Sequence, residues 1–525
     1  MDGAGSAGTA GQSWGTAPAP GNASWKLLAV LDGWVNRLYG SRWNPLYQSG
    51  AMTVALLLVV LVTGLYLLLF YRLGSPWESV ARVTDQAWSG RWIRGLHRYA
   101  SDGLIVTSAV HAFRMYAQRR TWGPRALAWV SGVTLVGVVL VCGWTGYVMV
   151  WDVQAQVLAV EGARFLDVLP IFSEPIGRAF VGEYPLPSAF FFLNLFAHVA
   201  LPVGLALLVW VHVSRVARPV LLPPRRLLWA VVAGFTALSV VWPVGMAPKA
   251  DVLAVPGSVP LDVFYGFWLP VTRLFPGWAV WAAGVSLLAV LLLVPVWTRV
   301  RSGVRTHRSR VDERLCTGCE QCALDCPYDA IAMIARGDGR PGSVARVNAA
   351  VCVSCGICAA SCAPMGVGPG GRTGRDQLAA VRGFGGTGDG VVVVACARSA
   401  GGSVSVPGIR TLAVECAGNV HTSVIETLLR GGAAGVLVVA CPGRDCWNRE
   451  GGRWLNARVH DGREAELQAR VDRSRVRLCY LSARETSRLT AAVFDFAATL
   501  PAPIDGTDRL DLVAECQRAA AGEAS

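Results

Sequence analysis

The chain has 525 residues, 53% of them hydrophobic and only 16% charged, with a net charge of +13. Such a composition excludes a wholly soluble or disordered protein and puts much of the chain in a lipid bilayer. The positive charge does not point to nucleic acid, because the basic residues gather at the ends of apolar stretches, as membrane orientation requires.

Residues 1–23 are rich in Gly, Ala and Ser with no basic start or apolar core, so they read as a disordered tail and not a signal peptide. Residues 24–298 form the membrane domain. Six apolar stretches, near 49–71, 96–116, 127–150, 189–214, 227–246 and 276–298, are long enough to cross about 30 Å of hydrocarbon. The links after the second and fourth carry Arg119, Arg120, Arg125 and Arg215, Arg218, Arg225, Arg226 without an acid. The long link 152–188 is acidic, with Asp152, Glu161, Asp167, Glu174 and Glu183. Positive-inside reasoning therefore predicts a multi-pass protein of the cytoplasmic membrane with both termini in the cytoplasm.

Of the seven histidines, four lie within these stretches: His97 and His111 on the second, His198 and His212 on the fourth. Each pair is 14 residues apart, nearly four helical turns, so its members share one helix face about 21 Å apart. Two such helices side by side offer two levels of facing imidazoles, the geometry for two haems stacked across a bilayer. Gly50 and Gly64 on the first stretch, and Gly132 and Gly146 on the third, repeat the spacing. Glycine admits a bulky group close to a helix, here the haem edges; helix-packing glycines are the alternative.

The segments Trp92-Ile-Arg-Gly-Leu-His97, Gly143-Trp-Thr-Gly-Tyr-Val-Met-Val-Trp151 and Phe196-Ala-His-Val-Ala-Leu-Pro202 resemble the cytochrome b of quinol-oxidising bc-type complexes, with glycine spacing like the chloroplast form. The resemblance covers about residues 40–300. It implies two b haems, His97 with His198 near the outer face and His111 with His212 near the cytoplasm. It also implies Arg114 against a haem propionate, quinone as substrate, and a homodimer, the common state of these relatives. Two departures stand out. Tyr47-Gln48-Ser49 lacks the cysteine that binds an extra haem in the chloroplast form. Where the family's outer quinol motif has glutamate, Leu261 stands, leaving Asp262 as the stand-in. These departures weigh against a Rieske-linked bc cytochrome and leave a quinone site beside the cytoplasmic haem.

A basic tether, 299–311, leads to a module over 312–365. It reads Cys316-x2-Cys319-x2-Cys322-x3-Cys326-Pro327 and then Cys352-x2-Cys355-x2-Cys358-x3-Cys362. This bacterial ferredoxin spacing holds two 4Fe–4S clusters, each taking three cysteines from one run and the fourth from the other. The expected sets are Cys316, Cys319, Cys322 with Cys362, and Cys352, Cys355, Cys358 with Cys326. Zinc would leave the third cysteine of each run unexplained. Of the 15 cysteines, 14 lie at or after Cys316 in motif spacing, which suits a reducing cytoplasm better than disulfides.

Residues 366–388 are glycine-rich and read as a flexible linker. Beyond them, Val391–Cys396, Thr411–Cys416 and Gly435–Cys441 are apolar runs that each end in cysteine, with a helical stretch at 420–430. They predict a small α/β domain over 389–500 whose ligands converge at the carboxyl edge of a parallel sheet, before a tail over 501–525. Cys396, Cys416, Cys441 and Cys446 suffice for one 2Fe–2S cluster; structural thiols and zinc are the alternatives. The cysteine-ended strands and Asn448-Arg-Glu-Gly-Gly452 resemble the delta subunit of methyl-viologen-reducing hydrogenase, which implies a cytoplasmic flavoprotein partner resembling heterodisulfide reductase. Ser399 stands where that family has a second cysteine. Cys479 and Cys516 read as structural, and His421 and His460 as surface or polar-network residues.

The expected fold is multidomain: an all-α transmembrane haem-binding bundle, an α+β ferredoxin-like module and a small α/β iron–sulfur domain. No Gly-x-Gly-x-x-Gly between a strand and a helix and no phosphate-binding lysine loop occurs, so flavin or hydride chemistry falls to a partner. The expected function is a quinone-linked oxidoreductase subunit joining the flavoprotein to membrane quinone. A non-catalytic electron conduit and anchor between protein partners is the alternative.

Overall fold

A computed structural model describes residues 23–500 apart from 172–173, 181–185, 215–217, 255, 299–307, 383–389 and 404–405. The expected tails over 1–22 and 501–525, most of the basic tether, and Cys516 lie outside the described residues. The chain divides into two compact units, one over Gln48–Val300 and one combining the chain up to Tyr47 with the chain from Arg301.

The first unit is helical. All six apolar stretches form helices, joined by shorter ones: α2 (Ser49–Leu68), α3 (Pro76–Asp85), α4 (Gly90–Ala117), α5 (Ala126–Val148), α6 (Val153–Asp167), α7 (Ser188–Ser214), α8 (Arg225–Val241), α9 (Leu269–Leu274) and α10 (Gly277–Trp297), α1 (Ala23–Tyr39) belonging to the other unit. Among the described residues, α2, α5, α7 and α10 are long and apolar enough to cross a membrane. α4 carries Arg94, Arg98 and Asp102, and α8 has 17 residues. Outer faces stay apolar and open, with Val203, Leu207 and Trp210 on α7 each more than half exposed. That is what lipid contact asks of a helix. Inside, α2 packs along α4 and α5 along α7.

The second unit begins with α1, whose buried Asn36 donates to Tyr47 Oη at 2.9 Å and to Ser482 Oγ at 3.3 Å. The sequence expected residues 24–47 to belong with the membrane domain; they group instead with the chain from Arg301, and the Ser482 bond ties α1 to it. A ferredoxin-like module follows, with β1 (Ser309–Val311), α11 (Gln321–Leu324), β2 (Ile331–Ala335), β3 (Ser343–Val347), α12 (Ile357–Ala360) and β4 (Val367–Pro369). β1 pairs with β4, and β2 with β3, both antiparallel.

The expected linker over 366–388 is structured through Arg382: β4 closes the module, and α13 (Gly374–Arg382) packs on the domain that follows. Gly368 and Gly374 serve close approach rather than flexibility. A Cβ on Gly374 would lie 2.6 Å from Met365 Cγ, and one on Gly368 2.8 Å from Ala359 Cβ.

The last domain contains β5 (Val391–Cys396), α14 (Ala400–Ser403), β6 (Arg410–Val414), α15 (Thr422–Arg430), β7 (Gly435–Ala440), α16 (Gly451–His460), β8 (Val476–Tyr480) and α17 (Thr486–Thr499). Its sheet is parallel throughout, in the order β6-β5-β7-β8. β5 and β7 are buried along their whole length, as a sheet covered on both faces requires.

Candidate functional site

In the helical unit, antiparallel packing sets four glycines against four imidazoles. A Cβ built on Gly50 would lie 2.8 Å from His111 Cε1, on Gly64 3.2 Å from His97 Cε1, on Gly132 3.2 Å from His212 Cε1 and on Gly146 2.7 Å from His198 Cε1. What each glycine meets is therefore an imidazole, where the sequence expected a haem edge. The shared 14-residue spacing is the register of one helix against its antiparallel neighbour.

His97 faces His198 with ring centroids 6.4 Å apart. A metal–imidazole bond is about 2 Å long and the ring centre lies about 1 Å further on, so two imidazoles on opposite sides of one metal have centroids about 6 Å apart. The pair fits the group. His111 lies within electrostatic range of His212 at the second level. Arg114, one turn beyond His111, is 3% exposed.

The other ring nitrogen is held as well. Thr63 Oγ1 lies 3.0 Å from His97 Nδ1, Ser131 Oγ 3.1 Å from His212 Nδ1 and Thr145 Oγ1 3.2 Å from His198 Nδ1, where the Cys142 carbonyl also stands at 2.9 Å. Each of these hydroxyls already donates to a carbonyl of its own helix, so it can accept from the ring. Nδ1 therefore carries the proton, and Nε2 is free for a metal. Sequence reasoning missed these hydroxyls. The signal was present: Ser49, Thr63, Ser131 and Thr145 each immediately precede one of the four glycines.

Next to His97, Arg98 pairs with both Asp102 and Asp262. Tyr147 Oη donates to Asp262 Oδ2 at 2.7 Å, while Oδ1 accepts the Phe264 N–H at 3.0 Å and the Tyr265 N–H at 2.5 Å. Leu261 is 54% exposed, so of the two adjacent candidates it is Asp262 that turns inward.

In the ferredoxin-like module, one cavity is lined by Cys316, Cys319, Cys322 and Cys362, and another by Cys326, Cys352, Cys355 and Cys358. The two runs repeat their backbone. Gly318 and Ser354, Glu320 and Gly356, and Asp329 and Met365 are equivalent positions, all with positive φ, which curls each loop around its cavity. The Ala330 N–H donates to Cys326 Sγ at 3.3 Å, and its equivalent Gly366 N–H to Cys362 Sγ at 3.2 Å. Burial pushes the Cys322 and Cys358 thiols up to about 12. Without iron these thiols keep their protons at neutral pH, and metal binding must displace them.

In the α/β domain, Cys396 ends β5, Cys416 and Cys441 follow β6 and β7, and Cys446 lies beyond on the loop. All four are at most 5% exposed, at the carboxyl ends of the strands where parallel sheets place ligands. Their side chains touch in the order Cys396, Cys441, Cys446, Cys416. Hydrogen bonds to neighbouring thiols, then burial, hold Cys416 and Cys441 well above the ordinary thiol range. Ser399 donates to the Cys396 carbonyl at 2.7 Å.

His421 is buried and not at the surface: Nδ1 accepts the Ser423 N–H at 3.2 Å, so Nε2 donates to the Cys362 carbonyl at 3.2 Å. Burial lowers its pKa to about 4 and keeps it neutral. His460 closes α16 and is exposed.

Three family models match the chain, in the expected order. Residues 35–218 match cytochrome b/b6/petB, 315–366 the 4Fe–4S dicluster domain and 395–502 the delta subunit of methyl-viologen-reducing hydrogenase. The cytochrome b match implies haem b, and the dicluster match implies iron–sulfur. Among curated relatives is the menaquinol:cytochrome c reductase cytochrome b subunit of Geobacillus thermodenitrificans, 27% identical over 176 residues, covering 33% of this chain and 79% of the relative. The subunit of the same name from Bacillus subtilis strain 168 is 26% identical over 153 residues, covering 29% and 68%. A solved chain titled hyperthermophilic respiratory complex III aligns with 48% of this chain and 75% of its own length, at TM-score 0.38 and 18% identity. With these matches, the chain is a membrane-integral electron-transfer protein.

Proposed function

We propose that this chain is the quinone-linked electron-transfer subunit of a respiratory complex, exchanging single electrons between membrane quinone and a cytoplasmic flavoprotein resembling heterodisulfide reductase. The observation that carries the reading is that one chain joins facing imidazoles 6.4 Å apart to three sets of converging cysteines. Haem and iron–sulfur groups, when bound, take up and release one electron at a time. His97 with His198 and His111 with His212 would hold two b haems, with Gly50, Gly64, Gly132 and Gly146 admitting the rings and Arg114 beside the second pair. The two crossed cysteine sets would hold two 4Fe–4S clusters. Cys396, Cys416, Cys441 and Cys446 would hold a 2Fe–2S cluster in the domain where the flavoprotein docks.

Thr63, Ser131 and Thr145 keep the Nδ1 proton in place, so His97, His212 and His198 would bind as neutral imidazoles. Quinone is the substrate class because both reductase relatives act on menaquinol by name. In isolated membranes, quinol should reduce the haems, and a quinone analogue should block or shift that reduction. Haems reduced only by protein donors and indifferent to quinone analogues would instead support an electron conduit and anchor. A bc-type reading with quinol oxidised on the outer side finds support in the inward Asp262, but Arg98 and two backbone N–H groups already occupy that carboxylate. It predicts that outer-site quinol inhibitors abolish turnover.

A further inference from the structure

The two thiol sets of the ferredoxin-like module differ in their surroundings. Around Cys326, Cys352, Cys355 and Cys358, the backbone meets the α/β domain at several points. The Gly356 carbonyl accepts Asn419 Nδ2 at 2.8 Å, and the Pro327 carbonyl accepts Arg449 Nη1 at 3.1 Å. The Ser354 carbonyl accepts Arg372 Nη2 at 2.7 Å, and Arg372 in turn pairs with Glu415, beside Cys416. A Cβ on Gly356 would stand 2.7 Å from Asn419 Cγ, so only glycine allows this approach. Cys355 packs against Trp454 of α16.

The same helix opens on the other thiol site. A Cβ on Gly451, its first residue, would lie 2.6 Å from Cys416 Sγ. Near its far end, Arg458 donates to the Gly418 carbonyl at 3.0 Å and to Ser361 Oγ at 3.0 Å. The set Cys316, Cys319, Cys322 and Cys362 also meets the α/β domain, at Ser361 beside Cys362 and at the Cys362 carbonyl, which accepts from His421 Nε2 at 3.2 Å, but its Cys319 is exposed and its Cys316 half-buried.

Electron transfer through protein weakens steeply as the gap between centres grows, so a seam of direct contact decides the route. We propose that α16 and Asn419 form the electron-transfer seam of this chain. They join the site of Cys396, Cys416, Cys441 and Cys446 to the inner set of Cys326, Cys352, Cys355 and Cys358. The set with Cys319 is the outward terminal. Each passage moves one electron: the centre on one side is oxidised by one, the centre on the other is reduced by one, and no bond forms or breaks. A reduced flavin on the partner, or quinol at the other end, supplies the electron. The inference rests on the reading that the four-thiol site holds an iron–sulfur centre.

The test is electron paramagnetic resonance on the full-length protein in detergent, reduced with dithionite. A paramagnetic neighbour speeds the relaxation of the four-thiol centre, which shows as resistance to microwave power saturation. Cys355→Ala should abolish this enhancement, while Cys319→Ala should preserve it. Loss on Cys319→Ala with retention on Cys355→Ala overturns the route. Asn419→Ala removes no ligand, which guards against a collapsed module. It should delay the appearance of the ferredoxin signals in freeze-quenched samples mixed with a reduced flavoprotein, with full intensity at completion; an unchanged rate overturns the seam. If Cys441→Ala removes no iron–sulfur signal at all, the four-thiol reading itself falls, and the seam with it, by a different signature.

Discussion

An imidazole serves a metal only through an unprotonated nitrogen, and three hydroxyls here decide which nitrogen that is. At His97 the Thr63 hydroxyl stands 3.0 Å from Nδ1. Thr63→Val keeps the shape and removes the acceptor, so haem at that level should be held about 10-fold less tightly, the lower end of what such outer partners contribute. Haem retention during detergent dialysis measures this. The glycines give a sharper test. At Gly50 an added methyl meets His111 Cε1 at 2.8 Å, closer than carbon atoms tolerate. Gly50→Ala should therefore remove the haem of the His111–His212 level and spare the other, halving the reduced-minus-oxidised haem absorbance. The histidines and glycines were legible in the sequence because each repeats at 14 residues on its own helix. The hydroxyls repeat just as regularly. They went unread because Ser and Thr are ordinary in membrane helices, and their meaning appears only once the antiparallel register brings each to its ring.

Among the elements, α16 helps to make one body of the ferredoxin-like module and the α/β domain. Its Arg458 is fully buried, and burial pulls its pKa down to about 10 while Asp325 opposes that shift. Asp325 is itself fully buried and accepts from Arg458 at 3.2 Å, Ser361 at 2.7 Å and Arg463 Nε at 2.9 Å. Asp325 and Ser361 immediately precede Cys326 and Cys362, so the network braces the fourth cysteine of both runs. Removing one partner of a buried pair leaves the other charge in a poor solvent. Arg458→Met should cost about 3 kcal/mol, with Arg463 left as partial compensation. Thermal bleaching of the iron–sulfur absorbance should move to lower temperature, and the haem bands should not follow it. None of this was visible in the sequence, where Asp325 and Arg458 lie 133 residues apart. The reading of 366–388 as linker failed over the stretch through Arg382 for a related reason. Glycine content reports backbone freedom and close packing alike, and Gly368 and Gly374 are used here for packing. The strand ends carrying Cys396, Cys416 and Cys441 were legible, since apolar runs closed by cysteine leave little else for the chain to do.

At the scale of the molecule, the family order and the two compact units imply a division of labour. If the helical unit exchanges electrons with quinone and the α/β domain with a soluble donor, a lesion in one should spare the partial reaction of the other. The four-thiol site is the place to cut, because its cysteines lie in the α/β domain and none lies in the ferredoxin cavities. Cys441→Ser in the full chain should leave quinol-dependent haem reduction in membranes at the level of the unaltered protein. It should abolish haem reduction by a reduced soluble flavoprotein, because the electron then lacks its first station in the α/β domain. Stopped-flow haem absorbance reads both reactions on one preparation. Loss of the quinol reaction as well would mean that the two halves do not act in series as proposed. Retention of the flavoprotein reaction would mean that the donor enters elsewhere, and the exposed face at Cys319 would become the docking point to test next.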